Sequence, residues 1–457
     1  MSQGRRSQAV AGTIVVVFLV AGSRWASYFG VYPFFVTDLL IALAFVHHAA
    51  SSPPGLDRGM GARSLTTAER LLWLLLCWAS LRLAVTYTYE PITVTALRDF
   101  APYLYPAVAL LATWSVRSAT RGSLEQTRLL LMGALYFHAA WTTLAPVAPL
   151  LPGSLFEGRP DIDNALNGIL AAILLFRVAT GTARRPAGAM LVAAYSLVGV
   201  FASDTRAGLL ATVTTVGFAT VVAMTTTNRR RALGILAAIP ALLSAAVMLL
   251  PLTSLGQRVQ DTFVTDAATT TAGGTTDARL NSWGQLQRWV SNEPERAMVG
   301  VGFGPHFMVD SGASALLVGI GEEAELVRSP HNYWLGTFAR LGWPGAILVA
   351  LVTLAAVAAT WRGRQAMAGD ELRLLVSLLV LGILPIATVG VVLEAPFGAV
   401  PFWWALGMTL ALSAADKSHG PDSTKPEALD ASASFVDSRN HHREGCQGPV
   451  GTAQWRS

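Results

Sequence analysis

Residues 253–334 read TSLGQRVQDTFVTDAATTTAGGTTDARLNSWGQLQRWVSNEPERAMVGVGFGPHFMVDSGASALLVGIGEEAELVRSPHNYW. They are the one long polar excursion in a chain that is otherwise almost wholly apolar. They end at SPHNYW (Ser329–Trp334), where an apolar helix begins again. A loop of this length between apolar segments ordinarily has a use. Its flanks decide the architecture: apolar sequence on both sides makes a bundle of helices in lipid, with this loop held in water.

The totals agree. Of 457 residues, 53% are hydrophobic and 13% charged, whereas soluble domains carry about 25% charged residues. Too few polar groups exist to cover a globule. The expected fold is therefore all-α, a polytopic integral membrane helix bundle. The net charge of +5 comes mostly from arginines at helix ends. Nucleic-acid binding needs a clustered basic face, so no nucleic-acid partner is expected. Cys77 lies in an apolar helix and Cys446 in a polar tail, a pattern of neither a disulfide framework nor a metal site.

Apolar runs of spanning length fall at about 9–30, 33–50, 68–86, 100–116, 128–148, 164–182, 187–203, 206–226, 232–252, 331–360, 372–393 and 396–415. That makes about twelve transmembrane helices, the natural spanning form because backbone groups in hydrocarbon must pair within their own segment. The first run follows Arg5 and Arg6, as a signal peptide would, but lacks a good cleavage site and is read as a retained span.

Arginine placement sets the orientation. With the N-terminus in the cytoplasm, the inner connections carry Arg58, Arg63 and Arg70; Arg117, Arg121 and Arg128; Arg184 and Arg185; Arg229, Arg230 and Arg231; and Arg362, Arg364 and Arg373. The short outer connections hold few: Arg24 by the first, Arg98 in the second and Arg159 in the third. The chain then divides into helices one to nine over 1–252, a large extracytoplasmic loop, partly helical, over 253–330, helices ten to twelve over 331–415, and a tail over 416–457. The tail is rich in Ser, Asp, Gly and His and reads as disordered and cytoplasmic. Both termini lie inside, in a multi-pass protein of the cytoplasmic (inner) membrane.

This topology gathers the polar residues on the outer side. SDTRAG (Ser203–Gly208) turns between two spans, and Arg206 opens the second; an arginine so close to hydrocarbon must snorkel or pair. Arg258 follows the ninth span. Arg279 opens ARLNSWGQLQRWV, in which Leu280, Trp283, Leu286 and Val290 share a helical face, one that could lie on the membrane or cover a site. GVGFGPH (Gly300–His306) reads as a tight turn. It is no nucleotide fingerprint, because no strand–turn–helix unit surrounds it. His331 and Asn332 open the tenth span, where a histidine can titrate near neutral pH and act as a base. Arg98 and Asp99 precede the fourth span and can pair with each other. Asp161 and Asp163 form an acidic pair of a kind that binds metal in some glycosyltransferases, though two acids in a loop are common. Asn164 and Asn167 open the sixth span.

The order of these motifs resembles the O-antigen ligase and polymerase superfamily. The matching residues are Ser203 with Arg206, Ala207 and Gly208; Arg279 with Trp283; Gly300, Gly302 and Gly304; and His331 with Asn332, followed by Leu341, Gly342 and Gly345. The resemblance is firmest over about 200–350. One departure is Asp204, an acid where the usual turn has a small polar residue.

The resemblance implies a membrane glycosyltransferase of the C type (GT-C) that builds cell-surface polysaccharide. It would move a glycan from an undecaprenyl-diphosphate donor to an acceptor hydroxyl, on a glycan or lipid-glycan, at the outer face of the cytoplasmic membrane. It further implies that Arg206 and Arg279 hold the diphosphate and His331 activates the acceptor. Arg98, Arg258 and Asn332 are placed beside them by location. No metal and no other cofactor is expected, and direct displacement would invert the anomeric centre. A repeat-unit polymerase is the alternative within the class; a flippase of the same lipid-linked glycan is the alternative outside it.

Overall fold

The computed structural model describes residues 2–31, 34–51, 66–89, 91, 93–144, 159–203, 205–226, 234, 271–320 and 326–418. Met1–Ala415 form one compact unit and Asp416–Ser457 a second, of which 416–418 are described. The ninth apolar run, Arg258, Asp204 and nearly all of the tail lie outside the described residues.

The described chain is helical apart from one hairpin of two-residue strands, β1 (Gly30–Val31) and β2 (Phe34–Phe35). The first nine helices are α1 (Ser2–Ser27), α2 (Val36–Ser51), α3 (Thr67–Tyr89), α4 (Val94–Phe100), α5 (Pro106–Ser118), α6 (Arg121–Leu144), α7 (Pro160–Thr180), α8 (Pro186–Ala202) and α9 (Arg206–Met224). The loop region supplies α10 (Thr271–Ser291), α11 (Pro294–Val299) and α12 (Phe307–Asp310). The chain closes with α13 (Tyr333–Arg362), α14 (Glu371–Val389) and α15 (Pro396–Ser418). The apolar runs read from the sequence coincide with helix wherever they fall among the described residues; the run over 232–252 lies almost wholly outside them. Among the described residues, α3, α7, α9, α13, α14 and α15 are long and apolar enough to cross a membrane, and shorter apolar helices cover Gly12–Ser27, Val36–His48 and Pro186–Phe201.

Helix α7 is the axis. Of its apolar stretch 89% is buried, against 22% for α3. It packs on α6, α8, α9 and α14. Proline at its first turn and Gly181 in the left-handed region (φ 76°) bound it, the usual asymmetry of helix ends. Gly208 of α9 faces the side chain of Asn164 so closely that a Cβ there would sit 2.5 Å from that of Asn164. Small residues allow such contact between helices in lipid, where close packing drives association.

Helix α13 breaks at Gly342 (φ 65°), two residues before Pro344. A proline removes one amide and clashes with the carbonyl four residues earlier, here that of Arg340. The freed carbonyls all find partners. Ala339 O accepts from Val301 N at 2.9 Å, Arg340 O from Gly302 N at 3.0 Å, and Leu341 O from Trp78 Nε1 at 2.9 Å. The GVGFG segment thus runs along the break, with Gly300, Gly302 and Gly304 at positive φ, as a turn of glycines should.

The loop helices build a small second core. Leu286 and Val290 of α10 pack with Phe307, Met308, Ala313, Leu317 and Val327, and with Phe338 and Ala339 of α13. The apolar face of α10 is therefore narrower than its sequence suggests. Leu280 is 53% exposed, whereas Ser282 is buried and donates to Ala313 O at 2.9 Å. The loop closes on its own core and on α13.

Candidate active site

A cavity of about 480 Å³ opens where α13 and α15 begin and α14 ends. Arg98, Asp99, Arg159, Arg328, His331, Arg340 and Glu394 line it, with Tyr103 and Phe307 among its aromatic walls.

Asp99 is the hub of one half. Its carboxylate accepts from Arg328 Nη2 at 2.7 Å, lies 2.9 Å from Arg340 Nη1, and accepts from Gly304 N at 3.3 Å. Arg328 also donates to Gly304 O at 2.8 Å. Asp99 therefore turns inward to distant arginines, while Arg98, its neighbour in sequence, is exposed at the cavity rim. The expected Arg98–Asp99 pair gives way to a buried cluster joining α4, the glycine turn, the SPHN segment and α13. Arg340 also stacks its guanidinium over Phe307, 4.8 Å from the ring centroid, a cation–π contact that offsets its burial.

His331 and Glu394 form the other half. His331 has φ 52°, one of two non-glycine residues at positive φ among those described. Such strain in a side-chain-bearing residue is tolerated where surroundings over-determine it. Pro330 precedes it, and Asn332 follows as the N-cap of α13, its Oδ1 accepting from Leu335 N at 3.1 Å. Ser329 Oγ donates to Glu394 Oε1 at 2.6 Å. Burial pushes the Glu394 carboxyl above the ordinary carboxylate range. The Ser329 hydrogen bond and the charges of Arg340 and His331 partly oppose the shift. Gly336, one turn into α13, leaves room for that carboxylate; a Cβ there would lie 3.5 Å from Glu394 Oε1.

Arg279 and Arg206 lie outside the cavity lining, in an adjoining cluster. Arg279 donates to Val389 O at 3.4 Å, at the end of α14, and its Nε is buried without a hydrogen-bond partner among the described residues. Asp161, at the start of α7, is in the field of Arg279 and Arg159 and hydrogen-bonds with Thr205. Thr205 precedes Arg206, the first residue of α9, and accepts from Asn164 Nδ2 at 2.7 Å. Asn164 also holds Ser203. The SDTRAG turn is thus pinned by α7 from behind. Arg159 belongs to both clusters, and Trp283 Nε1, one turn from Arg279, donates to Pro330 O at 2.5 Å beside His331.

The acidic pair does not act as one unit. Asp161 faces arginine, whereas Asp163 lies 3.7 Å from His138 Nε2 within the bundle. Among the described residues, no three His, Cys, Asp or Glu gather as a metal site would require.

Three residues went unnoticed in the sequence: Arg328, Arg340 and Glu394. Arg340 carried a signal, a lone charge inside an apolar helix. Glu394 carried a weaker one, the single acid in the short connection between the last two apolar runs.

The sequence model of the O-antigen ligase family matches residues 191–350. The match runs from α8 through the loop into α13, and so includes Arg206, Arg279 and His331. It supports the O-antigen ligase and polymerase superfamily as the relatives of this region. No curated protein matches the chain.

Proposed function

We propose that the protein is a membrane glycosyltransferase of the O-antigen ligase kind. It takes a glycan from an undecaprenyl-diphosphate donor and passes it to an acceptor hydroxyl at the outer face of the cytoplasmic membrane. The reading of about twelve spans with both termini inside, drawn from the arginine distribution, supports a cavity on that face. The observation that carries this reading is Arg279. Its buried Nε–H has no acceptor among the described residues, it shares with Thr205 the surroundings of Asp161, and it lies one turn from the indole that holds Pro330. A buried guanidinium N–H left without an acceptor is costly, and a phosphate oxygen is the acceptor its fork fits.

The chemistry follows from charge. Lipid diphosphate is a good leaving group, so strong acid catalysis is not needed. As the bond from the anomeric carbon to the phosphate oxygen breaks, negative charge grows on the diphosphate. Arg206 and Arg279 meet it with fixed, permanently charged donors. The acceptor hydroxyl attacks the anomeric carbon, and its proton passes to the His331 imidazole. One bond to oxygen forms as another breaks, and the electron pair leaves with the diphosphate. A single displacement of this kind inverts the anomeric centre and needs no metal.

Glu394 and Ser329 act through His331 as positioning residues, and Arg98 and Arg159 reach glycan or phosphate at the rim. Arg258 and Asn332 have lesser parts: Asn332 holds the helix start by its cap, and Arg258 is a basic residue of the same loop.

Purified protein given a lipid-diphosphate glycan, with EDTA present, tests this. A new glycosidic bond is the expected product. A ladder of repeats identifies a polymerase and a single transfer a ligase. Movement of the lipid across a vesicle with no new bond would replace the enzyme by a flippase.

A further inference from the structure

A second, larger cavity lies at the other end of α14. The 19 residues of that helix span roughly 28 Å at 1.5 Å per residue. Val391 and Glu394, just past its C-terminus, line the candidate active site. Asp370, Glu371 and Leu372, at its N-terminus, line a cavity of about 1480 Å³. The two cavities therefore mark opposite ends of the bundle.

Five arginines face this second cavity, Arg121, Arg128, Arg177, Arg184 and Arg185, against three acids, Glu125, Asp370 and Glu371. The acids are already engaged. Glu371 is shared by Arg177 at 2.5 Å and Arg128 at 2.7 Å. Glu125 accepts from Arg128 Nε at 2.8 Å, and Asp370 caps α14 by accepting from Arg373 N at 3.1 Å. Arg121, Arg184 and Arg185 make no ion pair among the described residues. Helices α6, α8 and α14 begin at this cavity and α7 ends there, so three positive dipole ends outweigh one negative end in the same field.

Behind this rim the wall is apolar. Leu129 and Tyr136 of α6 are 55% and 39% exposed, and Leu174 and Val192 complete the surface. A free anion would satisfy the rim and leave the wall wet. An apolar molecule would cover the wall and leave three arginines uncompensated. Only a ligand with both parts meets both demands. Arginines gathered at cytoplasmic connections follow from membrane orientation alone, but orientation does not require that they rim an apolar cavity.

We propose that this cavity is a binding site for an anionic phospholipid. The headgroup phosphate is held by Arg121, Arg184 and Arg185, and the acyl chain lies along Leu129, Tyr136 and Val192. Arginine forks suit phosphate oxygens, and basic pockets between membrane helices suit anionic headgroups. The site is separate from glycan transfer, so its test does not depend on that function.

Native mass spectrometry of the full chain in neutral detergent provides the test. The probes are phosphatidylglycerol, phosphatidylcholine of the same acyl chains, and inorganic phosphate. The wild type is expected to retain phosphatidylglycerol over phosphatidylcholine. Each of Arg121→Gln, Arg184→Gln and Arg185→Gln should weaken that preference about fivefold, and the triple variant should abolish it. The corresponding Lys variants should keep most of it. Equal retention of the two lipids by the wild type, or an unchanged preference in the triple variant, would overturn the assignment. So would displacement of phosphatidylglycerol by an equal concentration of inorganic phosphate.

Discussion

The burial of single charged groups sets what each can do. Glu394 is half-buried, and desolvation raises its carboxyl above the ordinary carboxylate range. A carboxyl with a raised folded-state pKa binds more protons folded than unfolded. Its contribution is complete below the unfolded value and is lost as pH rises through the folded one. Between those values stability should fall with rising pH, and Glu394→Gln should flatten the slope. Melting temperatures of the two proteins across that range check this. An equal slope in both would show that Glu394 is not the titrating group. Asp99 acts through its ion pairs, holding two arginines at 2.7 and 2.9 Å. Asp99→Asn should cost on the order of 3 kcal/mol in denaturation, because it leaves buried guanidinium charge uncompensated. Neither role was legible in the sequence. Both partnerships cross many residues of chain, and spacing carries no information about which distant arginine meets which acid. Arg206 and His331 drew attention in the sequence because each sits in a short motif where an apolar helix begins, and Arg279 because of its spacing to Trp283. The expectation that Arg279 opens its helix gives way to a place inside α10, which begins at Thr271.

At the scale of elements, the break in α13 determines the shape of the site. Gly342 has φ 65°, and a Cβ there would meet Met298 C at 2.6 Å. Alanine at positive φ costs roughly 1–2 kcal/mol before any clash. Gly342→Ala should therefore displace the GVGFG segment and abolish transfer while circular dichroism shows the helices intact. Gly369, with open space around it and ordinary φ, is the control: Gly369→Ala should transfer at the wild-type rate. Loss of activity in both would argue that the break is not the cause. The helices themselves were readable from apolar length, and the turn from its glycines. The packing of α10 was not. Its sequence shows an apolar face through Leu280 and Trp283, but the neighbours that select the buried face, Phe307, Met308 and Leu317, come from elsewhere in the loop.

For the whole molecule, the proposed sidedness rests on the distribution of arginines. In a background with Cys77 and Cys446 replaced by serine, Gln287→Cys in the loop should react with a membrane-impermeant maleimide in intact cells. Ala187→Cys, at the start of α8, should react only after permeabilisation. The reverse pattern would invert the topology and move the candidate site to the cytoplasm. Hydropathy made the helical membrane architecture plain from the sequence, since 53% hydrophobic residues leave little else. The expectation that the polar residues gather at one end of the bundle came from the same count of charges. The division into the Arg279 cluster and a neighbouring cavity was not visible there, because Arg159 and Trp283, which join them, look unremarkable in sequence.

The most direct test compares purified wild type with Arg206→Ala, Arg279→Ala and His331→Ala for donor binding and for glycan transfer from a lipid-diphosphate donor. Each arginine variant should bind donor more weakly and transfer about 10²–10³-fold more slowly. His331→Ala should bind donor as the wild type does and fail to transfer. Full transfer by all three variants would contradict the assignment of these residues to the reaction.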